Sequence, residues 1–202
     1  WQCHLWAAAT EIGPPPVPGA RITVVWHKSK RIHQEVASLM NHPAISFIGA
    51  GNMARSLIGG LCQGGCPVGS LRVADPDPAA RQRLAAGQPE LYITASNRDA
   101  AQGAAAIVIA VKPPQVHGVL AELRTGLAEA RPLVLSLAAG VRAHDMDRWL
   151  GGEFPVVRAM PNTPALVGAG VTGLYALPKV DEAERNRAEK PQKQDDYHEP
   201  LL

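Results

Sequence analysis

The chain has 202 residues, 46% of them hydrophobic and 19% charged, with a formal net charge of +2. That length suffices for one sizeable core and a small second unit, and the balance is that of an ordinary globular chain. So small a net charge gives no reason to expect nucleic acid or an anionic membrane as a partner. No apolar run reaches the roughly 18–20 residues of a membrane span.

The three cysteines, Cys3, Cys62 and Cys66, do not form a disulfide framework. Cys62 and Cys66 have no histidine near them in sequence, so no metal site is expected. A reducing, cytoplasmic setting is the default.

The opening carries Trp1, Trp6 and Trp26 and the stretch GPPPVPG, which continues neither a helix nor a central strand. Met40 precedes the first well-patterned strand and reads as the natural start. Residues 1–39 are expected to be a disordered extension with no core role. A targeting peptide would need an apolar segment behind a basic start, or an Arg-rich amphipathic stretch. Neither pattern is convincing here.

From residue 45 onward, short apolar runs alternate with helical patterns. A strand at 45–49 leads to a helix at 52–63. Next come a strand at 71–75 and a helix at 78–86, then a strand at 91–94 and a short helix near 98–103. A strand at 106–111, a helix at 114–127, a strand at 132–137 and a helix at 142–150 follow. Strands at 156–160 and 171–177 close the series. Runs such as AIVIAV and PLVLSL are apolar on both faces, which suits parallel strands covered on both sides. Alternation of this kind predicts an α/β, doubly wound, Rossmann-type sheet in three layers. A domain spanning 40–189 is expected, ending in a helix at 180–189. The polar, aperiodic residues 190–202 read as a disordered tail.

In such sheets the ligand sits beyond the carboxyl ends of the strands. At the first strand end, Gly49, Gly51 and Ala54 stand as G-x-G-x-x-A. Gly49 permits a tight turn, Gly51 lets phosphate approach the backbone, and Ala54 lets the helix lie close to the strand. The free N–H groups of the helix start favour a pyrophosphate. At the second strand end, Asp75 lies near the usual distance for an acid that accepts from the adenosine ribose. It would also repel a 2′-phosphate, which favours NAD over NADP. Its bland alternative is helix capping, a role Asp77 could fill instead, while Arg81 could still reach a phosphate. Later ends carry Lys112, Pro113 and Pro114, then Ala138, Ala139 and Gly140, then the stiff loop Pro161–Asn162–Thr163–Pro164.

The stretches FIGAGNMA, AVKPPQV, LAAGV and MPNTPALVGAGVTGLY, in this order and spacing, resemble pyrroline-5-carboxylate reductase over residues 40–189. The resemblance implies an oxidoreductase acting on a C=N bond. Its reaction would be NAD(P)H-dependent reduction of 1-pyrroline-5-carboxylate to L-proline, the last step of proline biosynthesis, in a cytoplasmic homo-oligomer. It places the pyrophosphate along Ile48, Gly49, Ala50, Gly51, Asn52, Met53 and Ala54. The adenosine ribose or its phosphate would lie near Asp75 and Pro76, with Asn97 on the adenosine half. Val111, Lys112, Pro113 and Ala139 would border the nicotinamide, and Asn162 and Thr163 the carboxamide or substrate. Either NADP or NAD is implied. The family's C-terminal helical dimerisation domain, which surrounds the substrate, has no counterpart here, so activity of this chain alone is expected to be impaired. Two rivals remain: a β-hydroxyacid dehydrogenase, against which the MPNTP stretch argues, and an NAD(P)-binding module or inactive fragment without catalysis.

Overall fold

The structure is a computed structural model that describes residues 21–26, 44–63, 65–127, 130–161 and 171–180. Its strands are β1 (Arg21–Trp26), β2 (Ile45–Ile48), β3 (Leu71–Ala74), β4 (Tyr92–Thr94), β5 (Ala106–Ile109), β6 (Leu133–Ser136), β7 (Val156–Pro161) and β8 (Val171–Ala176). The helices are α1 (Asn52–Gln63), α2 (Pro78–Gly87), α3 (Asn97–Ala101), α4 (Val116–Leu127) and α5 (Ala143–Trp149). The strands make one sheet in the order β1-β8-β7-β6-β5-β2-β3-β4.

Strands β2 to β7 run parallel. Only β8 and β1 are antiparallel to their neighbours. The chain leaves β2 toward β3 on one side and later toward β5 on the other. Order therefore reverses between β2 and β5, and the crevice beyond their carboxyl ends is the expected ligand position.

Residues on the two faces of each strand feed two cores. Phe47, Val73 and Val108 pack with Ala54, Ile58 and Leu61 of α1 and Ala80 and Leu84 of α2. Ile48, Ile107, Ile109 and Val134 pack on the opposite side with α3, Leu120 and Leu123 of α4, and Met146 of α5. Ile58, Ile107 and Leu120 are wholly buried, each contributing roughly 1.5–3 kcal/mol relative to exposure. Ser46 is buried in β2, and its hydroxyl donates to the Ala100 carbonyl. That bond satisfies the buried polar group and ties α3 to the sheet.

Local chemistry starts the helices where the sequence suggests. Asp77 caps α2 by accepting from the Ala79 N–H at 2.9 Å, ahead of Pro78 at the first helical position. Ser96 caps α3 by accepting from the Asp99 N–H at 3.1 Å. A short 3₁₀ turn, Pro113–Gln115, precedes α4, so the helix begins two residues later than its pattern predicts.

One expectation is corrected. Residues 21–26, read as part of a disordered extension, form β1 and pair with β8 along all six positions from Arg21–Ala176 to Trp26–Val171. The predicted helix at 180–189 and the tail at 190–202 lie outside the described residues, except for Val180.

Candidate functional site

The strand ends around the β2–β5 crevice carry the glycine turn. Gly49 has φ +104°, the left-handed side of backbone space that favours glycine. A Cβ placed there would stand 2.8 Å from the Ala110 carbonyl oxygen. The turn is therefore wedged against the end of β5. On its other flank the Gly49 N–H donates to the Ala74 carbonyl at 2.7 Å. Gly51 differs: a Cβ there would meet nothing within 4 Å. The space beside Gly51 is open, as an approaching phosphate requires. The Arg55 N–H bonds the Gly51 carbonyl at 3.0 Å, so α1 begins directly after the turn. The first N–H groups of a helix lack intrahelical acceptors, and those of Gly51, Asn52 and Met53 start this helix beside the open space. Room, amide donors and helix dipole together fit a pyrophosphate.

At the β3 end, Asp75 lies half-buried. Its Oδ2 accepts from the Ala50 N–H at 2.7 Å and its Oδ1 from the Asp77 N–H at 2.9 Å. Arg81 Nη1 donates to the Asp75 carbonyl at 2.7 Å and the Pro76 carbonyl at 2.9 Å. Capping of α2 thus falls to Asp77, while Asp75 grips the glycine turn. At the β5 end, Val111 is half-buried and Lys112 and Pro113 are exposed. The Lys112 N–H donates to Gln115 Oε1 at 3.3 Å, which steadies the turn. At the β6 end, Ala138 is buried, Ala139 and Gly140 are exposed, and Gly140 has φ +76°. Met160, on β7, is 39% exposed, an apolar side chain at the same rim.

The expected residues do not all reach the crevice in the same way. Gly51, Asn52, Met53, Pro76, Lys112, Pro113 and Ala139 stand at the strand-end rim, none of them buried. Ile48 does not offer its side chain, which is in the core, and its carbonyl accepts from the Ala110 N–H at 2.8 Å. Ala54 is fully buried and acts as a spacer between α1 and the sheet. Asn97 donates through Nδ2 to Glu122 Oε2 of α4 at 2.8 Å, a partner invisible from its own motif. Asn162 and Thr163 lie outside the described residues.

Elsewhere, a cleft of about 450 Å³ runs between α1 and α2, lined by Arg55, Gly59, Arg83 and Gln88 among others. It follows the helix flanks and reaches the strand-end rim at Asn52. The Cys62 thiol near the end of α1 is pushed up from its usual range, first by burial and then by the neighbouring Cys66. It stays a neutral thiol, unsuited to act as a nucleophile.

The family model described as "NADP oxidoreductase coenzyme F420-dependent" matches residues 44–140. Pyrroline-5-carboxylate reductase of Pseudomonas aeruginosa is 42% identical over 149 residues, covering 74% of this chain and 54% of that protein. The solved pyrroline-5-carboxylate reductase of Coxiella burnetii superposes with a TM-score of 0.69 at 40% identity, covering 74% of this chain and 55% of that one. Over 74% of its length the chain is similar to pyrroline-5-carboxylate reductases, and the similar part carries the Rossmann-type sheet. A Plasmodium falciparum pyrroline carboxylate reductase, solved with NADP bound, superposes with a TM-score of 0.62 at 25% identity. It covers 74% of this chain and 53% of that one. The chain thus spans about half the length of the pyrroline-5-carboxylate reductases it matches.

Proposed function

We propose that this chain is the cofactor-holding part of a pyrroline-5-carboxylate reductase, serving NAD(P)H-dependent reduction of 1-pyrroline-5-carboxylate to L-proline. The observation that carries the reading is the glycine turn at the β2–β5 switch point. It is wedged against Ala110 at Gly49 and open at Gly51, within a domain 42% identical to the Pseudomonas aeruginosa reductase. The cofactor in this reading is NADP or NAD, and the Plasmodium falciparum relative was solved with NADP bound.

In this reading the amides of Gly51, Asn52 and Met53 bind the pyrophosphate. Asp75 and Pro76 border the adenosine ribose, with Asn97 farther along that half. Val111, Lys112, Pro113 and Ala139 line the nicotinamide side; Asn162 and Thr163, expected there from their motif, lie outside the described residues. The bound nicotinamide supplies the hydride. The imine carbon is already electrophilic once its nitrogen is protonated, so the chain's task is positioning and exclusion of water. The small exposed residues Ala139 and Gly140 leave a flat ring room to lie against backbone. The functional unit is 40–189 with the strand at 21–26 added, working in a cytoplasmic homo-oligomer.

The test is a fluorescence titration of the 202-residue chain with NADPH and NADH, followed by turnover with 1-pyrroline-5-carboxylate. Saturable binding of at least one nucleotide is expected. Turnover well below that of a full-length reductase is expected too, because the chain spans about half of each such relative. Failure to bind either nucleotide overturns the reading. Binding with no turnover at any substrate concentration favours a binding module without catalysis.

A further inference from the structure

We propose that Asp75 is a positioning residue that pins the pyrophosphate-binding turn, and that it does not select between NADH and NADPH. The proposal rests on the dinucleotide reading above and gives the β3 end a different role. An acid at this position is ordinarily expected to accept from the ribose hydroxyls and to repel a 2′-phosphate.

Here every polar atom of Asp75 is engaged within the chain. Its N–H donates to the Thr94 carbonyl at 3.1 Å. Its carbonyl accepts from Arg81 at 2.7 Å. One carboxylate oxygen takes the Ala50 N–H at 2.7 Å and the other takes the Asp77 N–H at 2.9 Å. Hydrogen bonds to an ionised acceptor are about twice as strong as neutral ones. The bond to Ala50 bridges 25 positions of sequence and fixes the middle residue of the turn. With Gly49 bonded to Ala74 on one flank and pressed to Ala110 on the other, the turn is held on both sides before any ligand arrives. Such preorganisation raises affinity by removing the cost of ordering the turn on binding.

Two consequences follow for the ligand. The Ala50 N–H is already taken, so the phosphate cradle begins at Gly51. The Arg81 guanidinium is fastened to the carbonyls of Asp75 and Pro76, so a cation sits on the same two residues as the carboxylate. That positive charge, held by backbone carbonyls and not by the carboxylate itself, opposes the repulsion that would exclude a 2′-phosphate.

The experiment compares the full chain with Asp75→Asn and Asp75→Ala. Dissociation constants for NADH and NADPH are measured, together with amide hydrogen exchange at Ala50 in the absence of nucleotide. Asp75→Ala is expected to weaken both nucleotides about tenfold, in line with losing the charge-assisted bond that holds the turn at Ala50, and to change the NADPH:NADH ratio less than twofold. Exchange at Ala50 should accelerate while β5 and β6 amides keep their protection, a pattern that general destabilisation does not produce. Asp75→Asn keeps one acceptor oxygen and should lose only about threefold. A charge-based selector makes the opposite forecast, since both variants remove the charge and should gain NADPH alike. A tenfold gain in NADPH affinity with loss of NADH overturns the proposal, as does unchanged affinity for both. If the parent chain binds neither nucleotide, the dinucleotide reading fails. Ala50 exchange then decides the brace alone, and unaltered exchange in the variants overturns it. Should Asp75→Ala not fold, Asp75→Asn against the parent carries the same comparison.

Discussion

Two glycines with one residue between them do different physical work, and substitution separates them. Gly49 combines φ +104° with a missing Cβ that would press on the Ala110 carbonyl at 2.8 Å. The obstacle is backbone inside a paired strand end, so it cannot swing aside. Gly49→Ala should therefore cost about 1–3 kcal/mol in strain alone, more with the clash, and abolish nucleotide binding. Gly51→Ala meets nothing within 4 Å and should shift the denaturation midpoint little, while its methyl occupies the phosphate approach and removes binding. Paired denaturation curves and NADPH titrations check both. Equal loss of stability in the two variants would contradict this division. The local geometry at these glycines was legible in G-x-G-x-x-A, because a tight turn at Gly49 and open space at Gly51 need only neighbouring backbone. Asp75 was legible as a strand-end acid, but its bond to the turn was not, because the donor, the Ala50 N–H, stands 25 residues away. The Asn97–Glu122 bond was hidden for the same reason.

At the scale of elements, the parallel strands could be read directly, since buried strands must be apolar on both faces. Ile107 and Ile109 face one core and Val108 the other. Strand direction was another matter. Periodicity is blind to it, so the antiparallel entry of β8 beside β7 left no mark in the pattern. Helix starts shifted where the prolines at 113 and 114 build a separate 3₁₀ turn before α4. From there α4 covers its half of the sheet with Val116, Leu120, Leu123 and Leu127, all buried. Leu120 is wholly inaccessible and belongs to the core shared by α3, α4 and α5. Leu120→Ala removes its apolar contacts and leaves a cavity that rigid neighbours fill poorly, at a cost of about 2–5 kcal/mol. A urea titration should show a lower midpoint with an unchanged slope. A shift below about 1 kcal/mol would mean that the core around α4 collapses onto the gap.

The molecule as a whole is a sheet whose two edges are finished differently. On the far side β4 is only three residues long, a short edge that offers little to another strand. On the near side β8 would be a six-residue edge without β1, and β1 covers it along its full length. Composition does not join residues 21–26 to a core, because a proline-rich stretch precedes them and they lie well before the first parallel strand. Pairing made through backbone groups depends on reach and register, not on the composition around it. A chain beginning at residue 27 should therefore keep the two cores but expose the β8 edge. Hydrogen exchange should show the β8 amides losing protection while those of β2, β5 and β6 stay protected, since local stability follows local pairing. Light scattering should show concentration-dependent association through the uncovered edge. Nucleotide affinity should stay within about twofold of the parent, because the cradle at Gly51 stands at the β2–β5 switch point, with β6 and β7 between it and β8. Unchanged exchange in β8 would show that β1 adds no protection to its neighbour, and a collapse of affinity would show that the edge supports the crevice after all.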